Sequence, residues 1–388
     1  MGRSAVSVRR RRVALALTGR LVFAIPAVMG GCYYGLALVA AFLRRKAAVG
    51  PLGREFPSLS VLKPVHGAGD RLYEAVASHV RQDYPAAFEV LLGVCESDAA
   101  ALEEIARVRA AFPDAPIRVV TACTRMHNAK VGSLVDMAAA ARYPVLVIND
   151  ADIRVEPDYL RKVVGPLANP AIGLVTALYR AVGQSFAARM EALGVATEFA
   201  PSVLVARLLG VAEFALGSTM AVRKEDVARI GGFQAIGDYL ADDYQLGLHI
   251  TRLGLHVAFA DTVVETTLGA GGWAEVWRHQ VRWSRTIRVS RPSGYYGYVV
   301  TQATFWACVA AAAGYWETAA ATVGVRMIAG LAASDGVLKD RAATARFWLM
   351  PLRDLFGFAV WLAASVGKTV EWRGMRLRLT RDGRIREV

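Results

Sequence analysis

Cysteine is scarce in this chain: 388 residues hold four, Cys32, Cys95, Cys123 and Cys308, with no C-x-x-C or other ligand spacing among them. That excludes a cysteine zinc site and a disulfide framework, and the four read as small core thiols in a reducing compartment. Charge is also scarce. Charged residues make up 20% of the chain against 55% hydrophobic, and the mean hydropathy is +0.33. A chain this poor in charge is greasier than an ordinary soluble enzyme, which points to a membrane-associated portion. Acid is scarcer than base, 33 residues against 46, leaving a net charge of +13. Such a surplus suits nucleic acid, anionic lipid or a phosphorylated substrate. Zinc-finger spacing, an RNP-like aromatic motif and a helix-turn-helix pattern are all lacking, so no nucleic acid partner is expected. There is no internal repeat and no low-complexity linker.

What is present falls into three textures. Leu21 to Leu43 carries no charge, long enough as a helix to cross a bilayer and longer than a cleavable signal. Basic residues flank it on both sides, with Arg3, Arg9 to Arg12 and Arg20 before it and Arg44, Arg45, Lys46, Arg54 and Lys63 after it, so charge does not orient the span. From about Pro51 to Pro292 short apolar runs alternate with helical patterns. "LSVLKPV" (59–65), "FEVLLGV" (88–94), "IRVVTA" (117–122) and "PVLVIND" (144–150) suit strands buried on both faces. "DRLYEAVASHVRQDYP", "ALEEIARVRAAF" and "AKVGSLVDMAAAARY" suit the helices between them. The alternation predicts an α/β fold, a mostly parallel sheet whose ligands sit beyond the carboxyl ends of the strands. After Pro292, Val299–Trp316, Thr318–Leu338 and Phe347–Gly367 are apolar enough to span or lie in a membrane, though Glu317, Arg326, Arg353 and Asp354 interrupt them. The expected division is thus an N-terminal anchor over 1–50, a catalytic domain over 51–292, and membrane-associated helices with a basic tail over 293–388.

Chemistry collects in a few strings. In "YPVLVINDADIRVEPDYL" a buried-type run ends in Asp150 and Asp152, two carboxylates that extended backbone would point the same way. Hard oxygen ligands of this kind suit Mg²⁺ or Mn²⁺, which take their remaining ligands from phosphates and water; a solvated strand end or helix caps would use the same residues. In "DYLADDYQLGLHITRLG" Asp242 and Asp243 open a helix, either as ordinary caps or with one of them aimed into the cleft as a general base. "GGWAEVWRHQVRWSRTIRVSRP" interleaves Trp273, Trp277 and Trp283 with five arginines, the pattern of a helix on a membrane surface or of a diphosphate and sugar site. Lys130 is a phosphate contact or a solvated lysine, and Gly217-Ser218-Thr219 a close backbone approach or a turn.

Taken in order, these strings resemble the membrane-bound, family-2-like glycosyltransferases of GT-A fold, and in particular the ceramide glucosyltransferase family and its bacterial relatives in hopanoid lipid biosynthesis. The resemblance runs from "LKPVHGAGDRLYEAVASHVRQDYP" at 62–85 to "PLRDLFGFAVWLAASVG" and "WRGMRLRL" near the end. It implies a first acidic motif that contacts the nucleotide, here Glu96 or Asp98 in "VCESDAAA". It implies a metal pair, Asp150 and Asp152 in "NDADIRV", and a catalytic base, Asp243 in "LADDYQLG", with Asp242 where relatives often have Glu. The closing (R/Q)-x-x-R-W motif falls on "HQVRW", giving Arg282 and Trp283 and putting His279 where Arg or Gln is usual. A neutral imidazole there still donates one hydrogen bond but lacks the fixed charge.

The activity so implied is inverting transfer of glucose or N-acetylglucosamine from a UDP-sugar to a membrane lipid hydroxyl, of a hopanoid polyol or a ceramide. Mg²⁺ or Mn²⁺ would serve as cofactor, with Lys130 and Arg282 on the diphosphate. The location implied is the inner (cytoplasmic) membrane, with the catalytic domain facing the cytoplasm, where UDP-sugars are. Two other readings share part of the pattern: a processive polysaccharide synthase, which needs a channel of several clean spans, and a non-catalytic membrane scaffold on a transferase fold.

Overall fold

Side chains alternate across a strand, and in the apolar runs both sets are apolar, so the sheet they form must be covered on both faces. In a computed structural model, which describes residues 2–46, 56–67, 71–372 and 374–387, this is what the chain does. Seven strands form one sheet: β1 (Leu59–Pro64), β2 (Phe88–Val94), β3 (Ile117–Thr121), β4 (Val145–Ile148), β5 (Ile172–Val182), β6 (Met220–Arg223) and β7 (His256–Thr267), in the order β3-β2-β1-β4-β6-β5-β7. β1 pairs in parallel with β2 and β4, β2 with β3 and β5 with β7; only the pairings of β6 are antiparallel. Val61, Val90, Leu92 and Val147 enter one core with Leu72, Val76, Ile105 and Val108, while Leu62, Leu91, Leu146 and Ile148 enter the other with Leu134, Met137, Leu246 and Ile250. β3 departs from the expectation of double burial. It is the edge strand, and Arg118, Val119 and Thr121 stay partly or fully open to solvent.

The order of strands reverses between β1 and β4, since successive strands are added first on one side of β1 and then on the other. Neighbouring loops diverge at such a switch point and leave a crevice beyond the carboxyl ends. β1 ends there in Lys63 and Pro64, and β4 is followed there by Asn149 and Asp150.

A second sheet, β8 (Thr369–Trp372), β9 (Met375–Leu379) and β10 (Ile385–Glu387), is antiparallel. The alternating basic character of the tail is its two faces. Val370, Leu377, Leu379 and Ile385 pack with Leu240, and the Ile385 amide donates to the Asp238 carbonyl at 2.8 Å. Arg285 donates to the Thr369 carbonyl at 2.6 Å, and Arg288 to that of Gly367. This sheet therefore braces both the loop before Asp242 and the helix Trp273–Ser290.

Contacts divide the chain into two compact units, one of residues 48–189, 210–290 and 367–388, the other of 1–47, 190–209 and 291–366. Residues 367–388 thus share a unit with the large sheet and not with the apolar helices before them. The boundary expected at residue 50 lies outside the described residues.

The second unit is helical. Two of its helices, Val22–Arg45 and Phe347–Ala364, are long and apolar enough to cross a membrane by length and composition; Ala303–Ala312 is apolar but shorter. Small residues fill the contacts: Ala27, Ala307, Ala310 and Ala319 cluster, and a Cβ on Gly30 would come within 3.0 Å of Ala303 Cα. Cys32 and Cys308 are exposed on these helices, and Cys95 and Cys123 are exposed beyond β2 and β3, so none of the four is the core thiol expected from the sequence. Apolar neighbours in the first two cases mark an outward-facing apolar surface instead of a core.

Three of the four charges that interrupt the apolar segments are paired, Arg326 with Asp354 and Arg353 with Glu198. Arg326, fully buried, makes a two-pronged bond to Asp354 (Nε–Oδ2 3.0 Å, Nη2–Oδ1 2.6 Å) and lies over the Tyr34 ring at 4.5 Å. Thr304 donates its hydroxyl to the same carboxylate. Arg353 pairs with Glu198 at 3.3 Å, and Tyr298 donates to Glu198 at 2.8 Å. Glu198 lies in a π-helical turn, Val195–Phe199.

Candidate active site

The site residues expected from the sequence all belong to the unit that holds the large sheet. The tip of β4 is fixed from below by Asn149, which is fully buried. Its amide nitrogen donates to the Tyr159 hydroxyl (2.9 Å) and the Ser218 carbonyl (2.8 Å), and its oxygen meets the His79 ring at 3.2 Å. Asp150 to Asp152 is not extended backbone. The chain turns there, closed by the Ile153 amide on the Asp150 carbonyl at 3.2 Å. The argument that both carboxylates point the same way along a strand therefore gives way to a tight turn that aims each of them separately. Asp150, with 44% of its side chain exposed, lies 2.8 Å from Lys130 Nζ. Asp152 accepts from the Thr266 hydroxyl (2.7 Å) and the Thr267 amide (3.2 Å) at the end of β7. Neither is a helix cap, and each keeps one carboxylate oxygen that no hydrogen bond engages among the described residues.

Lys63 is the residue the sequence reading misplaced. Counted there among the flanking surface charges, it is fully buried at the end of β1 and donates to the carbonyls of Asp150 (3.0 Å) and Ile153 (3.3 Å), the two ends of the turn. Burial pulls its ammonium down to about 7 against the opposing pull of the Asp152 and Asp150 charges. Burial and the charge of Lys63 also push His79 far below the ordinary histidine range, to about 3, so its ring is neutral. One signal was available: a lysine inside a strand otherwise buried on both faces has to have an internal task. Replacing Lys63 by Met keeps the length and removes the two bonds. The expected result is an intact fold with activity lowered about 10–100-fold, as for other residues that orient ligands from behind; a melting curve beside a rate measurement checks both halves.

The second acidic string follows helix geometry. Asp242 and Asp243 open the helix Asp242–Arg252 behind an N-cap that is Ala241, so neither acid is the cap, and their side chains diverge. Asp242 Oδ2 faces Lys130 at 3.2 Å, an ion pair without hydrogen-bond alignment. Asp243 turns instead to Gly217, whose amide donates to Oδ2 at 2.9 Å, while the Tyr244 amide donates to Oδ1 at 2.8 Å. Burial first, and then the charge of Asp242, push the Asp243 carboxyl up to about 6, against the pull of Lys130 and the two amides. The Gly-Ser-Thr string is thus a close approach: a Cβ on Gly217 would lie 3.2 Å from Asp243 Oδ2. The same loop receives the Asn149 amide, which links the β4 tip to Asp243.

Lys130 is the centre of this arrangement. Its helix, Ala129–Ala140, is capped by Asn128, whose Oδ1 accepts from the Lys130 and Val131 amides. The side chain is 11% exposed, and although burial works against its charge, Asp150 and Asp242 hold it well above the ordinary lysine range. It stays cationic at every working pH.

The first acidic motif resolves into two situations. Asp98 caps the helix Ala99–Ala111 through the Ala101 amide (3.1 Å), accepts from the Gly67 amide (2.8 Å) and pairs with His66 at 2.9 Å. Glu96 is exposed beyond β2. On the helix Trp273–Ser290, His279 and Trp283 meet one turn apart, with centroids 4.3 Å apart and ring planes tilted by 54°, and Arg282 is partly buried beside them. Trp273 and Trp277 are exposed.

Two carboxylates on one turn, each with an oxygen to spare, make a sparse set of hard donors. No cluster of three His, Cys, Asp or Glu is found among the described residues. Such a set fits a six-coordinate divalent cation that completes its shell with phosphate oxygens and water.

Among curated proteins the chain is similar to ceramide glucosyltransferase 1 of Caenorhabditis elegans, 28% identical over 207 residues, 53% of this chain and 44% of that protein. Ceramide glucosyltransferase 3 of the same organism is 24% identical over 53% of this chain and 45% of that protein. The chain thus spans less than half the length of these relatives. Among solved structures, a mannosyltransferase from Pyrobaculum calidifontis in complex with GDP-Man and Mn²⁺ superposes with a TM-score of 0.54 at 19% identity, over 88% of this chain and 97% of that one, which shows the shared GT-A fold. A family model matches residues 22–385, nearly the whole chain, and on that match the protein belongs to glycosyl transferase family 21.

Proposed function

We propose that this protein transfers a hexose, glucose or N-acetylglucosamine, from a UDP-sugar to a hydroxyl of a membrane lipid, a ceramide or a hopanoid polyol, with inversion. One observation carries the reading: a single buried cation, Lys130, joins Asp150 at the strand tip to Asp242, and next to Asp242 stands Asp243, half-buried, with its carboxyl raised to about 6. Asp243 takes the proton of the acceptor hydroxyl as the oxygen attacks C1 of the sugar. The new C1–O bond forms as the bond from C1 to the diphosphate breaks, and UDP leaves with the electron pair. Lys130 and Arg282 supply fixed positive charge to the departing diphosphate. Mg²⁺ or Mn²⁺ held by Asp150 and Asp152 would add charge neutralisation there. Glu96 and Asp98, at the carboxyl end of β2, lie on the nucleotide side, and His279 with Trp283 forms a tilted aromatic pair suited to the sugar.

The acceptor explains the apolar helices. A lipid stays in the bilayer, so the enzyme is anchored there, with its catalytic unit on the cytoplasmic side where UDP-sugars are made. The test is a panel of UDP-sugars against ceramide and hopanoid-polyol acceptors, in detergent with Mg²⁺ or Mn²⁺, read by mass spectrometry. A singly glycosylated lipid, lost on Asp150→Asn and Asp152→Asn, is the expected result. A polymer would favour the processive synthase instead. Binding of UDP-sugar without any product would favour the scaffold.

A further inference from the structure

The small C-terminal sheet has an inner face that is apolar up to Glu387 at its end, and an outer face on which three of five residues are arginine. Register assigns Thr369, Glu371, Arg376, Arg378 and Arg386 to the outer face, opposite the buried Val370, Leu377, Leu379 and Ile385. Arg378 stands directly across from Arg386 on antiparallel strands, a like-charge pairing that destabilises a sheet unless an anion lies between. The only acid on this face is Glu371, opposite Arg376 and already 3.8 Å from Arg278. Arg376, Arg378 and Arg386 are exposed and form no ion pair among the described residues. Beside them a cavity of about 360 Å³ is lined by Lys368, Arg378, Arg381 and Arg386, with Thr380 and Leu379. Nothing in the transfer chemistry uses these residues.

We propose that this face is a docking surface for the phosphates of anionic bilayer lipids. Two observations favour lipid over a soluble anion. The cations are spread over a whole sheet face as well as around the cavity, which suits a charged surface more than one small ligand. Only residues 365–368 separate the sheet from the apolar helix that ends at Ala364, so the chain enters it directly from a candidate membrane span. Its consequence lies on the inner face, which carries Leu240 and the Asp238 carbonyl just before Asp242 and Asp243. Lipid contact would thereby steady the loop that leads to the base. The proposal rests on the membrane-anchored reading above, but its test requires no sugar transfer.

The full chain is placed in nanodiscs of phosphatidylcholine alone or with 30 mol% phosphatidylglycerol, and its arginines are labelled with phenylglyoxal and read by mass spectrometry. A basic side chain at an anionic surface gains about fivefold in preference for it. Arg376, Arg378 and Arg386 should therefore label at least about fivefold more slowly in the anionic discs, with the difference lost in high salt and exposed Arg109 unchanged. Equal rates in the two discs overturn the proposal. So does equal protection by inorganic phosphate in neutral discs, which would mark a site for soluble phosphate. As a second measurement, the triple variant Arg376→Gln, Arg378→Gln, Arg386→Gln should retain fewer phosphatidylglycerol molecules after purification from mixed micelles, at a melting temperature no lower than the wild type's. Unchanged retention overturns it as well.

Discussion

Asp243→Asn should lower the transfer rate by ~10²–10⁴-fold, the usual worth of a positioned general base, with the apparent affinity for the UDP-sugar little changed. The prediction follows from what holds the residue. Two backbone amides fix its oxygens; Asn keeps the size and one accepting oxygen, sets its NH2 against the other amide, and loses the ability to take a proton. The carboxyl titrates near 6, so in the wild type kcat/KM should rise with pH below that value and level above it. Removing the neighbouring charge with Asp242→Asn should move that limb to lower pH, because Asp242 is one of the two causes of the shift. Stability should run the other way. Because the folded state binds the Asp243 proton more tightly than the unfolded chain does, the contribution to stability is full below the ordinary carboxylate range and is lost as pH rises through about 6. The Asn variant should therefore melt higher than the wild type near pH 8 and lose that advantage in acid. A variant that keeps full activity, or a wild-type profile flat between pH 5 and 7, would remove Asp243 from the mechanism.

Breaking the buried pair in the helical unit should have the largest effect on stability. Arg326→Leu or Asp354→Leu alone leaves a buried charge without its partner and should cost about 3–5 kcal/mol, while the double variant, with both charges gone, should recover most of it. Arg326 offers the clearest case, since it is fully enclosed, bonded twice to Asp354 and covered by the Tyr34 ring. Melting temperature and the yield of monodisperse protein in detergent would report all three variants. Single variants as stable as the wild type would mean that water reaches the pair. A double variant as weak as the sum of the singles would mean that the loss arises from packing and not from charge. The same logic applies to Arg353 and Glu198, whose guanidinium lies against Gly357, where a side chain would crowd it.

These two cases also separate what each level of the molecule decides. Local pattern determined the layered α/β unit. Strand and helix periods are properties of adjacent residues, and the four quoted apolar runs became β1 to β4 within a residue or two of their expected bounds. Local pattern also put Asp150 and Asp152 just beyond a strand and Asp242 with Asp243 at a helix start. It marked Lys63 only as a lysine inside a strand covered on both faces and could not say what its ammonium holds, because the Asp150 and Ile153 carbonyls come from a distant part of the chain. Nor could it show that the acids at 150 and 152 lie on a turn, since that turn is held by Lys63 from another strand and by Thr266 and Thr267 from a third. Arg326 and Asp354, 28 residues apart, each counted against an apolar segment until they were found paired. The sequence by itself determined most of the apolar core and where charge lies along the chain; only the tertiary structure decided which charge answers which, and that Lys63 is buried and the four cysteines are not. Burial follows from a residue's own chemistry and its neighbours along the chain, whereas the partner of a buried charge is set by where the chain returns in space.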